Sequence, residues 1–171
     1  MITYNPAFDL YHGIFRMAHI LRKMDERKRF EIDCVRIWDF YMLYPNKLNN
    51  VLLKLDEKEL REARKMLKLK ETAYDYKGDI RKLFEWIKPF QMSAIGCLVS
   101  CGILGKDAFE AGYVEVVNHD LLDVFVEKTG DISVHEQNVL NFLNFLFSGM
   151  SLTGIYGMKH RTKLIECKYD A

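Results

Sequence analysis

Five histidines, four cysteines and two carboxylates on one apolar helix are the side chains with which this sequence could do chemistry, and their spacing brings none of them together. His12, His19, His119, His135 and His160 occur without an HxH or an i,i+4 pair, the spacings that put two imidazoles on one metal. Cys97 and Cys101 stand four apart in an apolar helical stretch, where they become neighbours on one buried face. With Cys34 and Cys167 they form no CxxC pair of the zinc or redox kind. Asp33 and Asp39 lie six residues apart, nearly two helical turns, so they cannot share a proton; Asp33 is placed instead to cap its helix. Gly-rich phosphate loops, GxSxG and HExxH are all missing from the sequence. The expectation is a chain that is not an enzyme, carries no metal or cofactor and takes no small-molecule substrate. His12, beside Tyr11, Phe15 and Arg16, is suited to ordering a buried network or a subunit contact.

Binding chemistry is better represented. Twenty-five Lys and Arg oppose 24 Asp and Glu, so no long-range field gathers polyanions over the whole surface, and contact with nucleic acid requires a local patch or a basic partner. Two local clusters exist: Arg22, Lys23, Arg27, Lys28 and Arg29, and Lys159, His160, Arg161 and Lys163. The second has no compensating acid before Glu166 and follows Gly149, Gly154 and Gly157, which allow close backbone approach. It is the candidate nucleic-acid contact, a solvated face being the plainer alternative. The abundance of Phe, Tyr, Trp and Met exceeds what a lone domain needs for its core. Phe8, Tyr11, Phe15, Trp38, Tyr41 and Tyr44 are the candidate partner interface, with most of them expected inside.

These residues must be positioned by helices. Phe8, Tyr11, Ile14, Phe15, Met17, Leu21 and Met24 recur at threes and fours, predicting a helix that ends in the charge run 25–29. Residues 31–45 form a helix apolar on nearly every side, stopped by Pro45. Asp56 with Glu59 suggests a capping box before a charged surface helix to Lys70. Asn118 caps a helix that stops at Gly130, and Ser133 with Glu136 forms a capping box before the apolar run from Val139 to Phe147. Between them, Asp79 caps a short helix to Ile87, Pro89 punctuates, a second helix runs 90–101 to Gly102, and 103–109 and 113–117 are strands of a hairpin.

The fold class expected is therefore mainly α, with a winged-helix-like α+β core at about 79–117, a helix-turn-helix plus short β-hairpin, packed with flanking helices into a single domain over 1–171. The second helix, PFQMSAIGCLVSCG, has the wrong chemistry for a DNA reader, with Gln91, Ser93 and Ser100 its only polar side chains, and the wing offers Lys106 alone. The N-terminus has no signal-peptide pattern, and the longest apolar stretches fall short of a membrane span, so a cytoplasmic protein with no membrane contact is expected.

The stretches TYNPAFDLYHGIFRMAHIL, FEIDCVRIWDFYMLYPNKL and IKPFQMSAIGCLVSCGIL resemble the middle component of bacterial ABC three-component systems. The patterns NPAFDxYHxxFR and RIxDFYxLxP of the first 50 residues carry most of that resemblance. It implies a small adaptor subunit acting with an SMC-like ATPase and an effector such as a nuclease, in the Lamassu-like manner of defence against phages and plasmids. DNA would be met mainly through the complex. The resemblance supplies no catalytic residue. A free-standing winged-helix transcriptional regulator is the alternative.

Overall fold

Asn5 and Asp9 set the start of the chain: the Asn5 side chain accepts from the Ala7 N–H at the head of a 3-10 turn (Pro6–Phe8), and Asp9 accepts from the His12 N–H at the head of helix α1 (Leu10–Lys23). A computed structural model describes residues 5–24, 29–72 and 75–166 of the 171-residue chain. The chain continues through strand β1 (Phe30–Glu31), helix α2 (Ile32–Leu43), a 3-10 segment (Pro45–Asn50) and helices α3 (Lys58–Met66), α4 (Ile80–Ser100) and α5 (Lys106–Glu110). Strand β2 (Tyr113–Val114) and helices α6 (His119–Thr129), α7 (Val134–Phe147) and α8 (Met158–Thr162) complete it. The fold is mainly helical with one small antiparallel sheet, as the sequence suggested.

Helix α1 packs against α4, α2, α6 and α7, and α2 lies between α1, α4 and α7. Gly13 permits a close approach of α1 to α4, since a Cβ there would stand 3.3 Å from the Ala94 Cβ. One contiguous core results, with Trp38, Phe40 and Tyr41 of α2, Phe84 of α4 and Phe147 of α7 among its largest members. Phe40 meets Phe84 edge-on at 5.8 Å, and Trp38 lies 6.3 Å from Phe147. The caps at Asn118 and Ser133 form as predicted, the latter a full capping box with Glu136, and Gly130 ends α6 at φ 94°.

The helix-turn-helix does not form. Residues 80–100 are one helix that runs through Pro89. A proline removes one intrahelical hydrogen bond and usually kinks or ends a helix, but Pro89 and Glu85, whose carbonyl loses its donor, both face solvent. The buried stripe Leu83, Phe84, Ile87, Gln91, Ala94, Ile95 and Leu98 continues unbroken across it. The hairpin also differs. Only 103–105 run extended: Leu104 bridges Val116, and 106–110 turn into α5. Strand β2 pairs on its other edge with β1, Phe30 opposite Val114 and Glu31 opposite Tyr113.

Two predicted caps are replaced. Glu31, not Asp33, occupies the N-cap of α2, and Asp33 in the first turn binds Arg36 at 2.6 Å. Glu57, not Asp56, precedes α3, and its carboxylate accepts from the Lys54 N–H at 2.7 Å. Cys97 and Cys101 are not on a buried face: the first is half-buried and the second exposed. Cys167, Arg27 and Lys28 lie outside the described residues, while Arg29 places its guanidinium 4.5 Å from the centre of the Tyr113 ring.

Candidate partner interface

The residues that carry the sequence pattern of the first 50 positions meet in a buried polar network. Arg16 of α1 donates from Nε to Asp39 Oδ1 of α2 at 2.7 Å and from Nη1 to the Pro6 carbonyl at 3.1 Å. Gln91 of α4 donates from Nε2 to Asp39 Oδ2 at 2.9 Å and to the Arg36 carbonyl at 3.1 Å, while its Oε1 accepts from Arg36 Nε at 3.0 Å. Arg36 also lies over the Phe84 ring and donates to the Phe84 carbonyl at 3.3 Å. Asp39 is fully buried, and the two arginines and the glutamine nearly so. A buried carboxylate is tolerable here because both of its oxygens receive charged or amide donors. The network ties α1, α2 and α4 together and, through Pro6, fixes the N-terminal turn on α1.

That turn presents the exposed part of the aromatic set. Phe8 packs edge-on against Phe90 of α4 at 5.4 Å yet keeps 40 % of its surface in solvent, and Tyr11, one turn further on, is 82 % exposed. Phe15 is half-buried against His19, with ring centres 4.7 Å apart. Tyr44 is half-buried beside Phe40, and burial raises its phenol pKa. Trp38 and Tyr41 belong to the core, so neither can meet a partner; burial alone drives the Tyr41 pKa upward. The structure thus leaves Phe8 and Tyr11 exposed near the start of α1 and buries Trp38 and Tyr41.

The C-terminal basic cluster divides in the same way. His160 and Lys163 are exposed on and just after α8, and Lys159 is half-buried. Arg161 is buried and points inward, donating to both oxygens of Glu57 at 2.8 and 2.7 Å, to the Tyr156 carbonyl at 3.1 Å and to the Leu52 carbonyl at 3.5 Å. Its hydrogen bonds hold the Glu57 carboxyl below the usual range, and none of its charge is left for a phosphate. Arg161 is therefore a structural staple and not a nucleic-acid contact. Nothing in its sequence context distinguishes it from Lys159 and Lys163; the partner lies 104 residues away.

Other titratable groups are similarly committed. His19 donates from Nε2 to the Gly130 carbonyl at 3.1 Å, and burial lowers its pKa. The Cys34 thiol is pushed up to about 12 by burial and by the neighbouring Glu31 and Asp33 carboxylates. Among the described residues, no group of three or more His, Cys, Asp or Glu is placed to hold a metal ion, and no helix is long and apolar enough to cross a membrane.

What the geometry defines is a helical scaffold cross-linked by the buried Arg16–Asp39–Gln91–Arg36 network, with exposed apolar side chains such as Tyr11 and Leu55 at its surface. Over residues 2–170 the chain matches the family MC5, ABC-three component (ABC-3C) system Middle Component 5, and it belongs to that family. It is thus a middle component of a multi-component system. No curated protein and no solved structure matches it.

Proposed function

We propose that this chain is the non-catalytic adaptor of its system, linking an SMC-like ABC ATPase to an effector, a nuclease, in a Lamassu-like bacterial defence complex against phages or plasmids. The observation that carries this reading is the family match, which spans residues 2–170 and makes the chain a middle component of a multi-component system. The exposed aromatics support it. Phe8 sits on a turn held to α1 by the Arg16–Pro6 hydrogen bond and Tyr11 on the first turn of α1 itself, so a partner meets them already ordered. A DNA-reading role is less well supported, because Gln91, the one side chain of segment 90–101 able to read a base bidentately, is consumed inside the core. DNA enters this scheme through the complex.

Co-expression of the tagged chain with its gene neighbours, followed by affinity purification and mass spectrometry, tests the proposal. Recovery of an SMC-like ATPase in fixed ratio is the expected result, reduced at least about tenfold by Tyr11→Asp, since losing a central anchor typically costs about 2 kcal/mol or more. A chain that elutes alone and shifts a DNA duplex on its own would replace the adaptor with a regulator.

A further inference from the structure

Leu55 is the most exposed large apolar side chain among the described residues, at 92 %, and it stands at the tip of a loop. Ile155, 72 % exposed, occupies the tip of a second loop, and Leu52 and Tyr156 beside them are also exposed. Arg161 fastens the two loops to each other. Its guanidinium reaches Glu57 and the Leu52 carbonyl on one loop and the Tyr156 carbonyl on the other, and its own carbonyl accepts from the Leu52 N–H at 3.0 Å. Lys54 Nζ lies 3.9 Å from the centre of the Tyr156 ring, adding a cation–π contact between the loops.

Each loop is also braced within itself. Arg61 donates to the carbonyls of Lys54 and Leu55, and Glu57 accepts from the Lys54 N–H. In the second loop the Gly157 N–H donates to the Gly154 carbonyl at 3.0 Å, and Ser151 Oγ donates to the Thr153 carbonyl at 2.8 Å. Gly157 is packed so tightly that a Cβ would fall 2.2 Å from the Thr153 carbonyl oxygen. Loops held by a buried bidentate ion pair display their apolar tips in a fixed geometry, and a partner that covers them loses little chain entropy in doing so.

Charge indicates what that partner is. Residues 52–58 and 151–163, the loops and the chain that follows each, hold five Lys and Arg against two Asp and Glu, in a chain whose formal charge is only +1. Glu57 and Arg161 match each other, which leaves four bases against Asp56. The two loops therefore carry a local basic excess. Asp56 is exposed immediately beside Leu55, which fits a surface of mixed side chains better than the uniform negative charge of a phosphate backbone or a lipid headgroup layer. Aliphatic tips, moreover, make no hydrogen bonds to phosphates or bases.

We propose that loops 52–57 and 151–157 form a docking surface for an acidic segment of another protein component of the system, with Leu55 and Ile155 as its apolar anchors and Lys54, His160 and Lys163 as its basic rim. This rests on the adaptor reading above, and the experiment separates the two. The co-expressed complex is purified from wild type, from Leu55→Ser/Ile155→Ser and from Lys54→Glu/Lys163→Glu, with thermal unfolding of each free chain recorded. A photoreactive benzoylphenylalanine replaces Leu55 in a fourth sample, and its cross-links are sequenced. Affinity at least about tenfold lower in both double variants, melting close to wild type and cross-links into an Asp/Glu-rich segment of a co-expressed component are the expected results. Variants that assemble like wild type, or cross-links into a segment without acidic excess, overturn the docking surface and leave the adaptor intact. If wild type recovers no component, both fail. Binding of the free chain to a DNA duplex or to phosphatidylserine vesicles, lost in Lys54→Glu/Lys163→Glu, would reassign the surface to nucleic acid or membrane and overturn the proposal.

Discussion

Asp39 shows how a single side chain can organise a fold without doing chemistry. It is completely buried, and its two oxygens are held by Arg16 and Gln91 from two other helices. Removing the carboxylate leaves the Arg16 guanidinium, itself 5 % exposed, without its counter-charge in the interior. Breaking one side of a buried pair in this way costs about 3–5 kcal/mol. Asp39→Ala is therefore expected to lower stability by that amount in urea unfolding, whereas Tyr11→Ala, which removes only exposed surface, should stay within about 0.5 kcal/mol. Equal effects of the two substitutions would show that the pair contributes no more than a surface residue. The same network explains why the most recognisable pattern in the sequence contains Asn5, Pro6, Asp9, Arg16, Arg36 and Asp39: these are the residues that cap, anchor and cross-link the first helices.

Among the elements, the loops around Arg161 make the most specific prediction. Because hydrogen bonds from Arg161 lower the Glu57 pKa, the pair stabilises the fold above the ordinary carboxylate value of 4.5, and that contribution disappears as pH falls through the depressed folded-state value. Arg161→Ala removes two charge-assisted hydrogen bonds and is expected to cost about 2–3 kcal/mol at neutral pH. It should also flatten the decline of stability below pH 5 relative to wild type, which thermal melts across pH 3–7 would detect. An unchanged acid limb in the variant would mean that Glu57 is not the group responsible. Local signals made some elements legible in the sequence: the caps at Asn118 and Ser133 act over three residues, and the apolar periods of α1 and α7 act within one helix. Pro89 misled because a proline's effect depends on which way its side of the helix faces, and that is a tertiary fact. The buried roles of Arg161, Asp39 and Gln91 were not legible because their partners are 104, 23 and 52 residues distant, beyond any spacing rule. The exposed tips at Leu55 and Ile155 gave no periodic signal at all, since they sit in loops.

At the scale of the molecule, the question is whether the middle of the chain is a separable unit. A winged module at 79–117 would carry its own core, but α4 sends Leu83, Phe84, Ile87, Ile95 and Leu98 into the same cluster as Met17 of α1, Trp38 of α2 and Phe147 of α7. Elements that share one set of buried side chains lose them together, so unfolding should be a single cooperative event. The two tryptophans provide the test, because Trp38 lies in the core and Trp86 sits 55 % exposed on α4 against Tyr76, ring centres 5.9 Å apart. In Trp86→Phe the remaining fluorescence reports the core around α2, while far-UV circular dichroism reports all helices at once. Coincident urea midpoints from the two signals are expected. A circular-dichroism transition that extends beyond the Trp38 transition would mean that part of the helical content survives loss of the shared core, and would restore a separately stable unit. Coincidence would also bear on assembly: a chain that folds as one body has its exposed loops held at a fixed position relative to Phe8 and Tyr11. Two partners bound at those two surfaces would then be held in a fixed relative orientation, which is what an adaptor must provide.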